Sequence, residues 1–170
     1  ICLHFILSRV GCEIKLESVG IIVYADDILL VAPTVIALQL LLKICENELN
    51  WLAMSINASK SACLRIGKDY KTVPVCIRTI DGREIPWQDN VRYLGMHLVA
   101  NNVFTCSFNN TKKSYYRAFN AIYSKIGGIA SEEVILEMLK MKCLPVLLYG
   151  TDVCPVNKKQ LKSLEYVLTN

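Results

Sequence analysis

Residues 19 to 33 read VGIIVYADDILLVAP, two apolar, β-branched runs split by Ala25-Asp26-Asp27. Runs of that length bounded by turn formers predict strands over 19 to 24 and 28 to 32, closed into a hairpin. The turn lacks the Gly of the commonest tight hairpins. Pro33-Thr34 then opens a helix, with Thr34 as candidate N-cap. Leu38, Leu41, Cys45, Leu49, Leu52 and Ile56 recur at three- and four-residue steps, while Lys43, Glu46, Glu48 and Asn50 fall off that stripe. The pattern predicts a helix over 35 to 55 that lays one face on a sheet.

Elsewhere the pattern is coarser. Residues 1 to 9 (ICLHFILSR) read as the last turns of a helix ended near Gly11, and CEIKL, 12 to 16, alternates as a short strand. Asn57 to Lys60 is a polar loop before the strand SACLRI. Residues 67 to 90, with Gly67, Pro74, Gly82 and Pro86, read as strands and turns around VPVCIR. VRYLGMHLV, 91 to 99, is a strand pair or bent strand with Gly95 at a turn or bulge. Helices are predicted over 109 to 127, 131 to 142 and 156 to 168, with Ser131 opening the second and Gly127-Gly128, Pro145 and Pro155 as breaks. The order is hairpin, helix, strands, then helices: an α+β domain followed by a helical part, divided between 106 and 110.

The 170-residue chain can bury a sizeable core. Its apolar fraction is 53%, yet no run reaches the roughly 18 uncharged apolar residues of a membrane helix. A bilayer span is not expected. The chain does not open with Met and shows neither the basic start nor the cleavage site of a signal peptide, so a fragment of something larger is expected. Eight cysteines form no CxxC pair, and His4 and His97 stand at no zinc-ligand spacing from them. Apolar neighbours make them buried thiols of a reducing, intracellular compartment, cytoplasm and nucleus. The Asn57 and Asn109 glycosylation sequons then read as chance matches. Residues 110 to 170 hold nine Lys or Arg and five acids, so the whole net charge of +4 lies there; residues 1 to 109 hold ten of each. A basic, aromatic-bearing segment points to a polyanionic partner or, more plainly, to a solvated helix face.

The chemistry gathers at Asp26 and Asp27. Two unit charges about 6 Å apart repel by roughly 1 to 3 kcal/mol. Crowning an apolar hairpin with both is therefore unfavourable unless a cation or donors lie close, though Asp-Asp is also an ordinary solvated turn. Hard carboxylate oxygens suit Mg²⁺, and two such ions clamp the attacking and leaving oxygens of a phosphoryl transfer. Four carboxylate oxygens fall short of the roughly twelve positions two octahedral ions need.

Tyr24-Ala25-Asp26-Asp27, with Ile28 to Pro33 behind it, resembles the YADD box of reverse transcriptases, closely that of LINE-type (non-LTR) retrotransposons. Trp51 and Ile56-Asn57-Ala58-Ser59-Lys60-Ser61 resemble that group's N-x-x-K-S/T segment, and Tyr93-Leu94-Gly95 its YLG box. Tyr115-Tyr116-Arg117 and Leu148-Tyr149-Gly150 are similar to its thumb and the region after it. The likeness spans most of residues 12 to 160. It implies a palm-like antiparallel sheet with the YADD hairpin and packed helix over 1–108, and a helical thumb-like region over 109–170. It makes Asp26 and Asp27 two of three metal-binding aspartates for Mg²⁺ and sets Lys60 near the triphosphate, where a cation stabilises departing pyrophosphate. Tyr24, Ala25, Tyr93, Leu94 and Gly95 would line the primer end and incoming nucleotide. Lys112, Lys113 and Arg117 would touch backbone phosphates. The implied partners are an RNA template, a DNA primer, deoxynucleotide triphosphates and the upstream remainder of the polyprotein.

One departure from that pattern sets the expectation for activity. The family's first catalytic aspartate lies on an upstream strand, before a Gln-Gly segment; ahead of Val19 the only acids here are Glu13 and Glu17. An isolated piece is expected to be inactive, its parent carrying out template-directed nucleotidyl transfer. The other expectations are a non-catalytic nucleic-acid-binding module or a decayed remnant of such an element.

Overall fold

The computed structural model describes residues 2–8 by their backbone, and 20–72 and 75–169 in full. The strand expected at 12 to 16 lies outside the described residues. The chain divides into two compact units, Ile1–Thr105 and Cys106–Asn170.

In the first unit, β1 (Cys2–Ser8), β2 (Ile21–Tyr24), β3 (Asp27–Ala32) and β4 (Ala62–Ile66) form one sheet in the order β2-β3-β1-β4. The opening segment is therefore a strand and not the end of a helix. Its near-continuous apolar run suits a strand flanked on both sides, and periodicity alone does not separate such a run from a buried helical turn. β1 runs parallel to both β3 and β4, while β2 and β3 pair antiparallel. The sheet that carries the hairpin is thus mixed, where an antiparallel one was expected.

Helix α1 (Val35–Trp51) begins as the sequence predicts: the Thr34 hydroxyl accepts from the Ala37 N–H at 3.1 Å. Leu38, Leu42, Cys45 and Leu49 turn inward onto Ile28, Leu30 and Ala32 of β3 and Cys63 of β4. Truncating Leu38 or Leu42 to Ala would cost about 2–5 kcal/mol. The inward row holds Leu42 where Leu41 was expected, and Leu41 is half-buried beside it. The helix stops at Trp51, so Leu52 is exposed and Ile56 enters the core from the loop.

One flank of α1 is fastened by polar groups. Gln39 exchanges two hydrogen bonds with the Arg78 backbone, at 2.7 and 2.9 Å, and the Ile80 N–H donates to Glu46 at 2.9 Å. These hold the ribbon of β5 (Ile77–Arg78) and β6 (Glu84–Ile85), whose Ile77 and Ile85 close the core. β7 (Asn90–Tyr93) and β8 (Met96–Val99) form a second antiparallel hairpin. β9 (Thr105–Ser107) ends the strand-rich part of the chain.

The second unit is built on α2 (Asn109–Ile126), α3 (Glu132–Met138), α4 (Leu144–Leu148) and α5 (Lys158–Thr169). A π-helical stretch, Leu139–Cys143, joins α3 to α4. Pro145, expected to break the chain, instead sits in the first turn of α4, directly after the π-helical stretch. Tyr115, Cys143, Leu147, Leu164 and Val167 are buried. Two further bonds tie α5 down: Lys112 Nζ to Ser163 Oγ at 2.7 Å, and Gln160 Nε2 to the Cys106 carbonyl at 2.7 Å. A disulfide joins Cys106 to Cys154, which corrects the expectation of thiols at those two positions. Cys45, Cys63, Cys76 and Cys143 are free, and all but Cys76 are buried. No helix among the described residues is long and apolar enough to cross a membrane.

Candidate active site

Tyr24 pairs with Asp27, so Ala25 and Asp26 alone make the turn between β2 and β3. Ala25 takes a left-handed φ of 50°, a conformation that favours Gly. Asp26 is exposed at the tip and Asp27, the first residue of β3, is half-buried. Because Ile28, Leu30 and Ala32 face α1, alternation sends Asp27 to the opposite face of the sheet, with its cross-strand partner Tyr24. Among the described residues, no Lys, Arg or His forms an ion pair with either aspartate.

Tyr93 lies within electrostatic reach of Asp27. Burial first, and the Asp27 carboxylate second, push its phenol up from the usual tyrosine range, so it stays a neutral hydroxyl at physiological pH. Tyr93 and Met96 close a two-residue turn in which Leu94 (φ 44°) and Gly95 (φ 81°) are both left-handed, the pattern of a primed hairpin turn. The YADD box and the YLG box are thus close enough for Asp27 to act electrostatically on Tyr93.

Lys60 closes a short 3₁₀ turn, Ala58–Lys60. The Asn57 side-chain oxygen accepts from the backbone N–H groups of Ser59 and Lys60, at 3.1 and 3.3 Å, and the Ser61 hydroxyl donates to the Asn57 carbonyl at 2.8 Å. Buried Ile56 and Ala58 anchor this turn in the core. Cys2 lies opposite Asp27 and His4 opposite Ala62, so the three parallel strands start together. Lys60 therefore leaves the same end of the sheet as Asp27, two strands away, or roughly 10 Å across. Asn57 was missed as a site-shaping residue. Its signal was present, since Asn is a strong cap at the head of a short helical turn.

Lys112, Lys113 and Arg117 all lie on α2, in the other unit. Lys112 is half-buried and bonded to Ser163, whereas Lys113 and Arg117 are exposed. Tyr115 is a core residue of that unit and opens a stacked ladder through Phe119 to Tyr123, with ring centroids 6.4 and 5.8 Å apart.

The donor chemistry of Asp26 and Asp27 fits a hard divalent cation: adjacent carboxylates at the mouth of a hairpin, unpaired with any described cation. Their number does not complete a site, since no cluster of three or more His, Cys, Asp or Glu occurs among the described residues. They fit as the two-carboxylate part of a larger centre.

The family profile "Reverse transcriptase (RNA-dependent DNA polymerase)" matches residues 1–98, more than half of the chain. The chain belongs to the reverse transcriptase family. No match appeared among curated proteins or among solved structures. The matched span of this reverse transcriptase domain covers the YADD hairpin, α1, the Asn57–Lys60 turn and the YLG turn.

Proposed function

We infer that the chain is the aspartate-bearing part of the palm, with the thumb behind it, of a LINE-type reverse transcriptase. The parent reaction is attack of a primer 3′-hydroxyl on a deoxynucleotide triphosphate, directed by an RNA template. The observation that supports this reading is the pair of adjacent aspartates at the hairpin, Asp26 open to solvent at the tip and Asp27 on the sheet face away from α1, within electrostatic reach of Tyr93 in the YLG turn. The palm is assigned to 1–108 and the thumb to 109–170.

Asp26 and Asp27 would hold Mg²⁺, which when bound supplies charge neutralisation for the transferring phosphoryl group. The remaining roles belong to the chain itself. Asp27 is the more constrained carboxylate, half-buried at the first position of β3. Tyr24, exposed on the same face, offers a flat surface to the primer end or the incoming base. Lys60, presented by its capped turn at the same end of the sheet, is placed to stabilise negative charge on departing pyrophosphate. Lys113 and Arg117 on α2 offer cations to backbone phosphates without reading sequence.

Four carboxylate oxygens leave the centre incomplete, so the purified chain is expected to extend no primer on an RNA template with deoxynucleotide triphosphates and Mg²⁺. Clear synthesis by the chain alone would contradict that. In the full-length parent, Asp27→Asn should lower incorporation on the order of 10³-fold; retention of activity would remove the aspartates from the mechanism.

A second reading, a non-catalytic nucleic-acid-binding module, is favoured by the second unit, which carries the whole net charge of +4. It predicts salt-dependent binding to an RNA–DNA hybrid, unchanged by Asp26→Asn.

A further inference from the structure

Within the second unit, α5 is thinly held. Of its twelve residues Leu164 and Val167 are buried, while Leu161, Tyr166 and Leu168 stand exposed. The hydrogen bonds from Lys112 Nζ to Ser163 Oγ and from Gln160 Nε2 to the Cys106 carbonyl fasten it to the rest of the unit. Its start is capped reciprocally: the Asn157 side-chain oxygen accepts from the Gln160 N–H at 2.8 Å, and Gln160 Oε1 accepts from the Asn157 N–H at 3.1 Å. A helix of this length is marginal in water by itself. Its docking therefore depends on what holds its root.

That root is covalent. Cys154, shortly before α5, ends a turn opened by the left-handed Gly150 (φ 78°), whose carbonyl accepts from the Cys154 N–H at 2.9 Å. Its partner Cys106 lies in β9 with no exposed surface. The two Cα atoms are 6.2 Å apart, a span at which the bridge can form or open without backbone movement. Cys154 is 8% exposed and stands between exposed Val153 and Pro155, so its sulfur is the one that reagents reach first. Cys76, meanwhile, is exposed and free. An exposed thiol persists where reductant is present, and a disulfide in such surroundings is transient or redox-sensing rather than a fixed staple.

We propose that Cys106 and Cys154 form a thiol–disulfide switch that sets whether α5 is docked. Oxidised, the bridge joins residues 48 apart in sequence and holds the root of α5 against β9. Closing a loop of that length removes much of the freedom that the undocked chain would otherwise gain. Reduced, α5 rests on Leu164, Val167 and the two hydrogen bonds, and the stretch from Gly150 to Thr169 opens and closes as a local unit. The Lys112–Ser163 bond goes with it. Oxidation takes a small-molecule disulfide such as oxidised glutathione. The Cys154 thiolate attacks one of its sulfurs, forming a mixed disulfide and releasing one glutathione thiolate. The Cys106 thiolate then attacks the Cys154 sulfur and expels the second. Two electrons and two protons pass from the cysteine pair to glutathione, and the reverse sequence reopens the bridge. The inference is independent of the polymerase reading, since it concerns the second unit alone and is read by cleavage and alkylation.

The test is limited trypsin digestion of the full chain, equilibrated with excess oxidised or excess reduced glutathione. Cleavage after Lys158, Lys159 and Lys162 is expected to be about tenfold or more faster in the reduced sample, because cleavage tracks the population of the open form. Cleavage after Lys43 in α1 should be the same in both. Maleimide should label Cys106 and Cys154 in the reduced sample and neither in the oxidised one. Cys154→Ser should be cut at the fast rate in both buffers. Cys76→Ser should keep the full redox response, which makes the readout independent of the exposed thiol and of how well the Cys154 variant folds. Equal cleavage of α5 in the two buffers overturns the proposal, as does a bridge that survives excess reduced glutathione. So does labelling of both cysteines in the oxidised sample, or a response lost in Cys76→Ser.

Discussion

The two hairpins that carry Asp27 and Tyr93 solve the same geometric problem with different residues. Both close in two residues, and both put a non-Gly residue, Ala25 or Leu94, in the left-handed region. The YLG turn follows Leu94 with a glycine at φ 81°, the residue its backbone asks for. The YADD turn follows Ala25 with a carboxylate. Asp26 is not left-handed, so this turn obtains its tightness from Ala25 alone. Strain of that kind persists where surrounding structure holds it, and it clusters at functional sites. The difference teaches which turn is shaped for folding and which carries a chemical group at its tip.

Of the two turns, the larger effect on stability is expected from breaking the glycine turn. Gly95→Val forces a β-branched side chain into left-handed backbone and should cost about 1–2 kcal/mol. In a chain of this length that lowers Tm by roughly 3–6 °C, measured by thermal denaturation. Ala25→Gly sharpens the comparison from the other side. It removes a left-handed β-carbon and should stabilise by up to about 1 kcal/mol, raising Tm by roughly 2–4 °C. A loss of stability there would show that Ala25 is not strained.

Asp27→Asn tests the link between the turns. Removing the carboxylate removes one of the two causes that raise the Tyr93 phenol, so its titration should move down toward the usual range. Ultraviolet difference titration, with Tyr93→Phe identifying the signal, reads the shift; an unmoved titration separates the two residues.

The smallest effect lies outside both turns and serves as their control. Burial raises the Glu46 carboxyl most, the Ile80 N–H lowers it, and Asp81 raises it again, with a net upward direction. A carboxylate raised on folding is destabilising when ionised: its penalty is absent below the unfolded pKa and grows as pH rises through the folded one. Glu46→Gln should therefore raise Tm by about 2 °C at pH 7, an advantage that disappears below about pH 4. Melting curves at the two pH values check the sign, and the Tyr93 titration should be untouched.

How much of this was legible depends on how local each feature is. The YADD hairpin is written in its two β-branched runs, and α1 in its apolar spacing and its Thr34 cap, all within one window of sequence. The β7–β8 pair showed through Gly95. The parallel placement of β1 between β3 and β4 was not legible, because a short apolar run carries no period that excludes a helix and its partners lie far along the chain. The Cys106–Cys154 bridge escaped for a related reason: 48 residues separate the cysteines, and neither stands in a recognisable spacing. The continuous helical path through Pro145 was hidden because a proline at a first helical turn reads like a break. Of the candidate site, the aspartates and Lys60 were legible as a motif, but the electrostatic proximity of Asp27 to Tyr93 depends on the tertiary fold.

The most direct test of the central claim, that Asp26 and Asp27 crown a hairpin able to hold a divalent cation beside Tyr93, is paramagnetic broadening of backbone amide resonances on titration with Mn²⁺. The account predicts that residues 24 to 28 and 93 to 95 broaden first, and that Asp27→Asn abolishes this while leaving the rest of the spectrum in place. Broadening centred on other acids, such as Glu132 and Glu133 at the start of α3, with the hairpin unaffected, would contradict it.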